Sequence, residues 1–442
     1  MAILLRGLAL TLFCLAIAGC STVEDLFKED EELLPGERIA ILSLERGLEA
    51  DPAIADLRVT LPPAQPNSEW PTAGGNNAHA LGHVALSGGL QRAWTAGVGE
   101  SSDDSGKILT QPVVANGRVF TMDSRAQVSA FDAGSGGAIW RNDLQPEDED
   151  DGFFGGGLAV ANGRIYVTTG FAKVFALDAG SGGVIWEASV PAPMRAAPTV
   201  ADGRVFAITL DNAVYAFNAE DGAPLWQHIG FQELAGLIGA ASPAVSGSTV
   251  IAPYSSGEIF ALLAENGREL WSDNLATRNR TDQASDLADI RALPVIDGNR
   301  VFAISHSGRM AAIDMRRGLR AWDIGLGGKE MPWLAGDFLF VITKDAQLVA
   351  VTRDQGRIRW VTNLDRWEDP EDREGPIAWT GPVLAGDRLV VASSTGVALT
   401  LSPYDGEVLG ATELPGSVSV PPVVANGILY FVTDGGDLVA LR

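Results

Sequence analysis

The chain has 442 residues and a formal charge of −24, from 32 basic and 56 acidic side chains. A charge of this sign repels phosphate backbones and anionic lipid surfaces, so nucleic acids and bare membranes are poor partners. The acidic runs Glu147–Asp151 and Glu368–Glu374 are interpreted as solvated loops. The two cysteines, Cys14 and Cys20, both lie near the N-terminus, which leaves no thiol further along for a disulfide, a thiolate nucleophile or a cysteine-ligated metal.

The first segment, residues 1–19, has the pattern of an export signal. Arg6 precedes an apolar run that is too short to span a bilayer, and no other apolar stretch approaches a membrane span. The run ends in Ile-Ala-Gly-Cys, which resembles the lipobox of bacterial lipoproteins, although an ordinary signal with an incidental cysteine is the alternative. The resemblance implies that Cys20 is acylated and, because Ser21 is not an aspartate, that the anchor is the periplasmic face of the outer membrane. Residues 20–64 would then form a lipidated tether.

From residue 112 onwards one unit is repeated eight times. Its opening residue is a proline or, once, a leucine: Pro112, Leu158, Pro198, Pro243, Pro294, Pro332, Pro382 and Pro422. A glycine stands 24 residues later in every unit that extends that far, and a tryptophan stands 28 residues later, with Gly410 as the exception. Turn signals such as Asn116-Gly117 separate apolar stretches and predict four short antiparallel strands per unit. Because a four-stranded sheet must stack on neighbours to bury both faces, the repeat predicts an all-β, eight-bladed propeller over residues 65–442.

The two ends of the repeat array predict how the propeller closes. The last unit has only three predicted strands, and an isolated strand with its own tryptophan, Leu90–Trp94, precedes the first unit. Pairing these segments would complete the eighth blade with an N-terminal strand and remove the open sheet edge. The tryptophans recur at constant spacing, so we expect them to pack between blades rather than to form stacking platforms for a ligand.

The repeat also resembles that of known proteins. The stretch Ala130–Trp140 (AFDAGSGGAIW) and its near copy Ala176–Trp186 resemble the tryptophan-docking motif of pyrroloquinoline-quinone-type propellers. With the lipobox, the tether and the eight units, the chain is identified as a member of the BamB family, a lipoprotein subunit of the outer-membrane β-barrel assembly machine. The resemblance implies a non-enzymatic scaffold without a cofactor. It would bind the POTRA repeats of the barrel-forming subunit BamA, join the other subunits and aid the folding and insertion of outer-membrane proteins.

The resemblance places the partner contact on two neighbouring connectors between blades, about residues 232–240 and 281–291. Leu237 and Asp289 match the family's two loop motifs, whereas Ile238 departs from the first motif and Arg291 replaces an acid in the second. Long connectors leave a propeller on one face, and function usually lies on such variable loops. The candidate partner-binding residues are three apolar anchors, which could instead fill the top of their blade, and three rim charges: Leu234, Leu237, Ile238, Asp286, Asp289 and Arg291.

Two other functions remain open. A quinone-dependent dehydrogenase would share the repeat, but such enzymes hold the quinone beneath adjacent cysteines with a calcium ion, and neither requirement is evident in the sequence. The histidines show no metal-ligand spacing: His79, His83, His228 and His306. A sensor that binds a small ligand in the central channel is the second alternative, although the first strands that would line the channel are plain and apolar.

Overall fold

The computed structural model describes residues 47–86, 88–148, 154–233, 236–276 and 287–442, and residues 48–442 form one unit. Cys20, Leu234 and Asp286 lie outside the described residues. Within these ranges the only helix is a 3-10 turn at Pro52–Ile54, and no helix could cross a bilayer.

The first strand, β1 (Arg92–Gly97), stands apart from the strands that follow it in the chain. Blades 1 to 4 are antiparallel sheets of four consecutive strands. Blade 1 contains β2 (Val113–Ala115), β3 (Arg118–Met122), β4 (Gln127–Asp132) and β5 (Ala138–Asp143), and blade 2 contains β6 (Gly156–Ala161), β7 (Arg164–Thr169), β8 (Lys173–Asp178) and β9 (Val184–Ser189). Blade 3 contains β10 (Thr199–Ala201), β11 (Arg204–Ile208), β12 (Ala213–Asn218) and β13 (Pro224–Ile229), and blade 4 contains β14 (Ala244–Ser246), β15 (Thr249–Pro253), β16 (Glu258–Leu263) and β17 (Glu269–Asn274).

Blades 5 to 7 repeat this order, and a small hairpin separates blades 6 and 7. Blade 5 contains β18 (Val295–Asp297), β19 (Arg300–Ile304), β20 (Met310–Asp314) and β21 (Arg320–Ile324), and blade 6 contains β22 (Trp333–Ala335), β23 (Phe338–Ile342), β24 (Gln347–Thr352) and β25 (Ile358–Asn363). The hairpin is β26 (Trp367–Asp369) and β27 (Glu374–Pro376), and blade 7 contains β28 (Trp379–Ala385), β29 (Arg388–Ser393), β30 (Val397–Leu401) and β31 (Val408–Glu413). The hairpin carries the second acidic run, which is exposed.

Blade 8 joins segments from both ends of the propeller domain. Its inner strands are β32 (Val423–Ala425), β33 (Ile428–Val432) and β34 (Asp437–Leu441). Its outermost strand is β1, which pairs antiparallel with β34 and places Trp94 opposite Ala440. The predicted eight-bladed propeller and its closure by an N-terminal strand are therefore confirmed, with the closing strand starting two residues later than Leu90.

Burial explains why the inner strands read as almost continuous apolar runs. In β3 and β33, four of the five residues are buried, because these strands are covered by neighbouring blades on both faces. The outer strands, such as β5, are covered less and expose alternate residues. Burial on both faces thus supplies the core that the strand sequences encode.

The tryptophans pack between blades, as the constant spacing predicts. Trp186 of blade 2 donates its indole N–H to the carbonyl of Ala219 in blade 3 at 3.1 Å. Its ring covers Gly222, where an added Cβ would lie 2.6 Å from the ring. The exception at Gly410 has a structural reason. In blade 8 the third and fourth strands come from different parts of the chain, so the glycine turn on which a tryptophan would dock is missing.

A segment that the repeat does not predict runs around the inside of the propeller. We call residues 65–86 the axial strap. It hydrogen-bonds to each of the eight blades in turn, from blade 8 through blades 1 to 7, at distances of 2.6 to 3.3 Å. The bonded pairs are Asn67 with Val424, Trp70 with Val114, Pro71 with Val160, Asn77 with Val200 and Val245, Ala78 with Ile296, Gly82 with Trp333, and Val84 with Leu384 and Gly386.

The described part of the predicted tether, residues 48–64, lies against blade 6. Asp51 forms an ion pair with Arg357 at 2.7 Å, and the Arg359 side chain donates to the carbonyl of Leu57. Val59 is buried in the same core cluster as residues of blades 6 to 8. The chain is therefore fixed to the propeller well before the strap begins.

Candidate functional site

The two connectors proposed from the sequence touch each other. The backbone N–H of Leu237, in the first connector, donates to the Asp289 carboxylate of the second at 2.7 Å. Asp289 is only 4% exposed, and this burial raises the pKa of its carboxyl group, although the Leu237 N–H and the charge of Arg291 act in the opposite direction. The expectation that Asp289 forms part of an exposed charged rim is thus wrong. The carboxylate is buried and holds the backbone of the neighbouring connector.

Arg291 supports the first connector in a similar way. Its guanidinium lies against Gly239, where an added Cβ would be 2.6 Å from the Arg291 Nε. Gly239 has φ +95°, a backbone conformation that side chains other than glycine rarely adopt. Arg291 also pairs at 3.4 Å with Glu330, which is itself buried and accepts from the Thr380 hydroxyl at 2.8 Å. Arg291 is therefore a partly buried support and not a free rim charge.

Apolar side chains in and next to the first connector are exposed, although its backbone is held by Asp289 and Arg291. Ile238 is 52% exposed, whereas Leu237 is half-buried. Phe231, the residue just before this connector, is 67% exposed. Its N–H donates to the Glu258 carboxylate at 2.8 Å and its carbonyl accepts from Asn212 at 2.6 Å, so the backbone there is held by blades 3 and 4. Sequence analysis missed Phe231, for which the available signal was an aromatic residue two positions after the predicted fourth strand, next to a long connector.

The same face of the propeller opens into a cavity on the axis. The cavity has a volume of about 90 Å³, and all eight blades contribute to its wall, six of them from the connector that precedes the first strand and blades 2 and 7 from the first strand itself. Trp70 of the axial strap and Trp333 of blade 6 are buried, stack at 6.1 Å between ring centroids, and belong to the cavity wall. The wall also carries Arg195, Arg291 and Lys329, and Glu330 is the only carboxylate that the described residues contribute to it. We call this space the axial cavity.

The histidines remain dispersed in the structure. His79 and His83 belong to the axial strap, His228 stacks on Tyr254, and His306 lies in blade 5. Among the described residues, no three His, Cys, Asp or Glu side chains come together as a group that could hold a metal ion.

Comparisons with known proteins agree with this architecture. A family sequence profile described as "Outer membrane protein assembly factor BamB" matches residues 124–362 and 365–442. A relative of that description from Alkalilimnicola ehrlichii is 37% identical over 350 residues, covering 79% of this chain and 87% of the relative. For relatives with the same description from Legionella pneumophila and Escherichia coli, at 25% and 26% identity, the match spans 50% of their length.

Solved structures share the fold. The crystal structure of BamB from Moraxella catarrhalis matches with a TM-score of 0.68 at 21% identity, covering 80% of this chain and 100% of that one. A quinohaemoprotein alcohol dehydrogenase from Comamonas testosteroni matches with a TM-score of 0.64 at 14% identity, covering 86% and 81% of the two chains. At these identities the likeness establishes the fold alone. The profile and the Alkalilimnicola relative establish more: this chain belongs to the BamB family of outer-membrane protein assembly factors.

Proposed function

We propose that the chain is a non-enzymatic scaffold lipoprotein of the outer-membrane protein assembly machine. It would be anchored through Cys20 at the periplasmic face of the outer membrane and would bind the POTRA repeats of BamA with the connectors 232–240 and 281–291. Family membership supports the role in assembly. The choice of surface is supported by the exposure of Ile238 on a connector whose backbone is held by Asp289.

The physical argument concerns the cost of ordering a loop. An interface gains most from a few apolar anchors that become fully buried, and it loses whatever free energy is needed to fix mobile segments. Here the amide next to Ile238 is already hydrogen-bonded to a buried carboxylate, and Gly239 packs on Arg291. Ile238 and Phe231 would therefore be presented to a partner in advance, and most of the free energy from burying them would appear as affinity.

The experiment is a binding measurement with the isolated POTRA segment. We expect Ile238→Asp to cost about 2 kcal/mol, or roughly thirtyfold in affinity, because a charge replaces an anchor. Leu319→Asp is the matched control, because Leu319 is also apolar and is 64% exposed, but it lies in the glycine turn of blade 5. That variant should bind like the wild type.

The unfolding temperature separates a contact from a folding defect. Both variants change exposed side chains, so both should melt like the wild type. Equal affinity for Ile238→Asp, Phe231→Asp and the wild type would contradict the proposal. Loss of binding on changing the hairpin at Asn116-Gly117, before β3, would instead place the partner on the opposite face.

A further inference from the structure

The wall of the axial cavity carries a net positive charge, although the protein as a whole is strongly acidic. Three cationic side chains belong to its wall, namely Arg195, Arg291 and Lys329, against the single carboxylate of Glu330. The whole chain carries a charge of −24. A net positive wall in so acidic a protein makes the axial cavity a place that attracts anions.

Only one of the three cations has a carboxylate partner. Arg291 pairs with Glu330, whereas Arg195 and Lys329 form no ion pair with any residue of the described ranges. Both are partly buried, and burial lowers the pKa of each. For Lys329 the nearby carboxylate of Glu330 opposes this lowering of the pKa, and the charge of Arg291 adds a smaller lowering effect. Cations removed from water without a partner raise the free energy of the empty site.

Two N–H donors in the wall are unsatisfied as well, among the described residues. The Nε of Arg195 is buried without a hydrogen-bond acceptor among the described residues, and the Arg195 guanidinium lies over the Phe154 ring at 5.7 Å. Trp70 is fully buried, and its indole N–H has no acceptor within the part of the chain that the structure describes. Buried donors are normally paired, and those that are not commonly indicate a ligand or an ordered water. Cations and free N–H groups together specify an acceptor that carries negative charge.

The cavity is closed on one side. The axial strap bonds to the residue two positions after the opening residue of most blades, such as Val114, Val200 and Val424. The cavity is lined instead by the residues just before and at those openings, among them Gln111 and Pro421. The strap therefore closes the channel at the hairpin end, and a ligand could enter only from the connector face. A volume of about 90 Å³ suits a group of a few heavy atoms, such as a carboxylate.

We propose that the axial cavity binds a carboxylate group, held by Arg195, Lys329 and the free donors of the wall. The carboxylate could belong to a small dicarboxylate or to an acidic side chain of a protein docked on the connector face. This inference goes beyond the proposed function, since the site would exist whether or not POTRA repeats bind to the connectors.

The first measurement uses succinate, with its uncharged analogue succinamide as the control ligand. Titration calorimetry on the full mature chain should show saturable binding of succinate at millimolar concentrations and none of succinamide. Lys329→Gln and Arg195→Gln should each weaken binding by about tenfold or more, because each removes a charge-assisted hydrogen bond. Lys329→Arg, which keeps the charge, should retain most of the affinity, and added salt should weaken the interaction.

A second measurement identifies the source of the carboxylate. If it comes from the partner, Lys329→Gln should reduce affinity for the POTRA segment about tenfold, and succinate should compete with that segment. If it comes from a small molecule, succinate should bind without affecting the POTRA affinity. The proposal is overturned if succinate shows no saturable binding to the wild type and if Lys329→Gln leaves the POTRA affinity unchanged. A wild-type chain that binds succinate but not the POTRA segment would contradict the proposed function and leave this site intact.

Discussion

The imidazole of His79 should make the stability of the propeller depend on pH. His79 belongs to the axial strap and is 1% exposed. Its Nδ1 lies 2.8 Å from the carbonyl oxygen of Pro294 and must carry the hydrogen, because that oxygen can only accept. The other ring nitrogen, Nε2, is buried and has no partner in the described ranges of the chain. A second proton on the ring would therefore be buried without an acceptor.

The magnitude follows from the displacement of the pKa. Burial lowers the pKa of His79 from 6.5 to about 4, against the smaller opposing effect of the Pro294 carbonyl. Above pH 6.5 the imidazole is neutral in both folded and unfolded chains, so it does not lower the free energy of unfolding. As the pH falls towards 4, the unfolded chain takes up the proton first and stability is lost. The loss reaches about 3 kcal/mol. For a unit of this size that corresponds to a lowering of the melting temperature by about 4 °C.

The test variant is His79→Asn, measured by thermal unfolding at neutral pH and at about pH 4, the folded-state pKa of His79. Asparagine does not titrate in this range, tolerates the φ of +56° found at this position, and can donate an amide hydrogen to the same carbonyl. The drop in melting temperature on acidification should be smaller in the variant by about 4 °C. His228→Asn is the control, since His228 is less buried and should account for less of the drop. The same acid-induced drop in wild type and His79→Asn would refute the reasoning.

Three further predictions concern other parts of the chain. Asp289→Asn, which keeps an acceptor oxygen, should leave deuterium uptake in the first connector unchanged, whereas Asp289→Ala should increase its rate about tenfold, as measured by hydrogen exchange with mass spectrometry. Gly222→Ala should lower the melting temperature more than Gly203→Ala, because both have positive φ but only the first would bring a methyl group against the Trp186 ring. Cys20→Ala should release a folded protein from the outer-membrane fraction, and continued sedimentation with that fraction in high salt would show that a lipid is not the main anchor.

The fold was largely predictable because the eight units share one set of offsets. Pro198 correctly places β10 at Thr199–Ala201, and Leu158, which lacks the proline, still marks the first strand of blade 2. The closing strand was also found, since a strand with a tryptophan and no neighbour requires a partner. Its ends shifted by a few residues, because they depend on the register with β34 and not on local pattern.

The candidate site was predictable only in part. Connectors that precede consecutive blades leave the same face, and the contact between Leu237 and Asp289 agrees with that expectation. The burial of Asp289 was not foreseen. An aspartate in a loop is usually solvated, and the partner of this one is a backbone N–H 52 residues away, which no side-chain pattern reveals. The charges of the axial cavity were missed for a similar reason. The first strands are apolar as expected, and Arg195, Arg291 and Lys329 come from the connectors before them.

The axial strap shows why the centre of this propeller could not be read from the repeat, and also why it is built as it is. In every blade the first strand bonds to the second on one side, so its other edge faces the axis with unpaired N–H and C=O groups. Such groups need partners when they are buried. The strap supplies them near the hairpin end, for example where Trp70 and Val114 exchange two backbone hydrogen bonds at 2.7 and 2.8 Å. Because its partners are mostly backbone groups, with the Trp333 indole N–H as a side-chain exception, the strap carries no repeat of its own. At the connector end, side chains from the connectors line the axis instead. The backbone groups that face the axis are therefore hydrogen-bonded by the strap near the hairpin face, and the connector face holds the axial cavity proposed to bind a carboxylate.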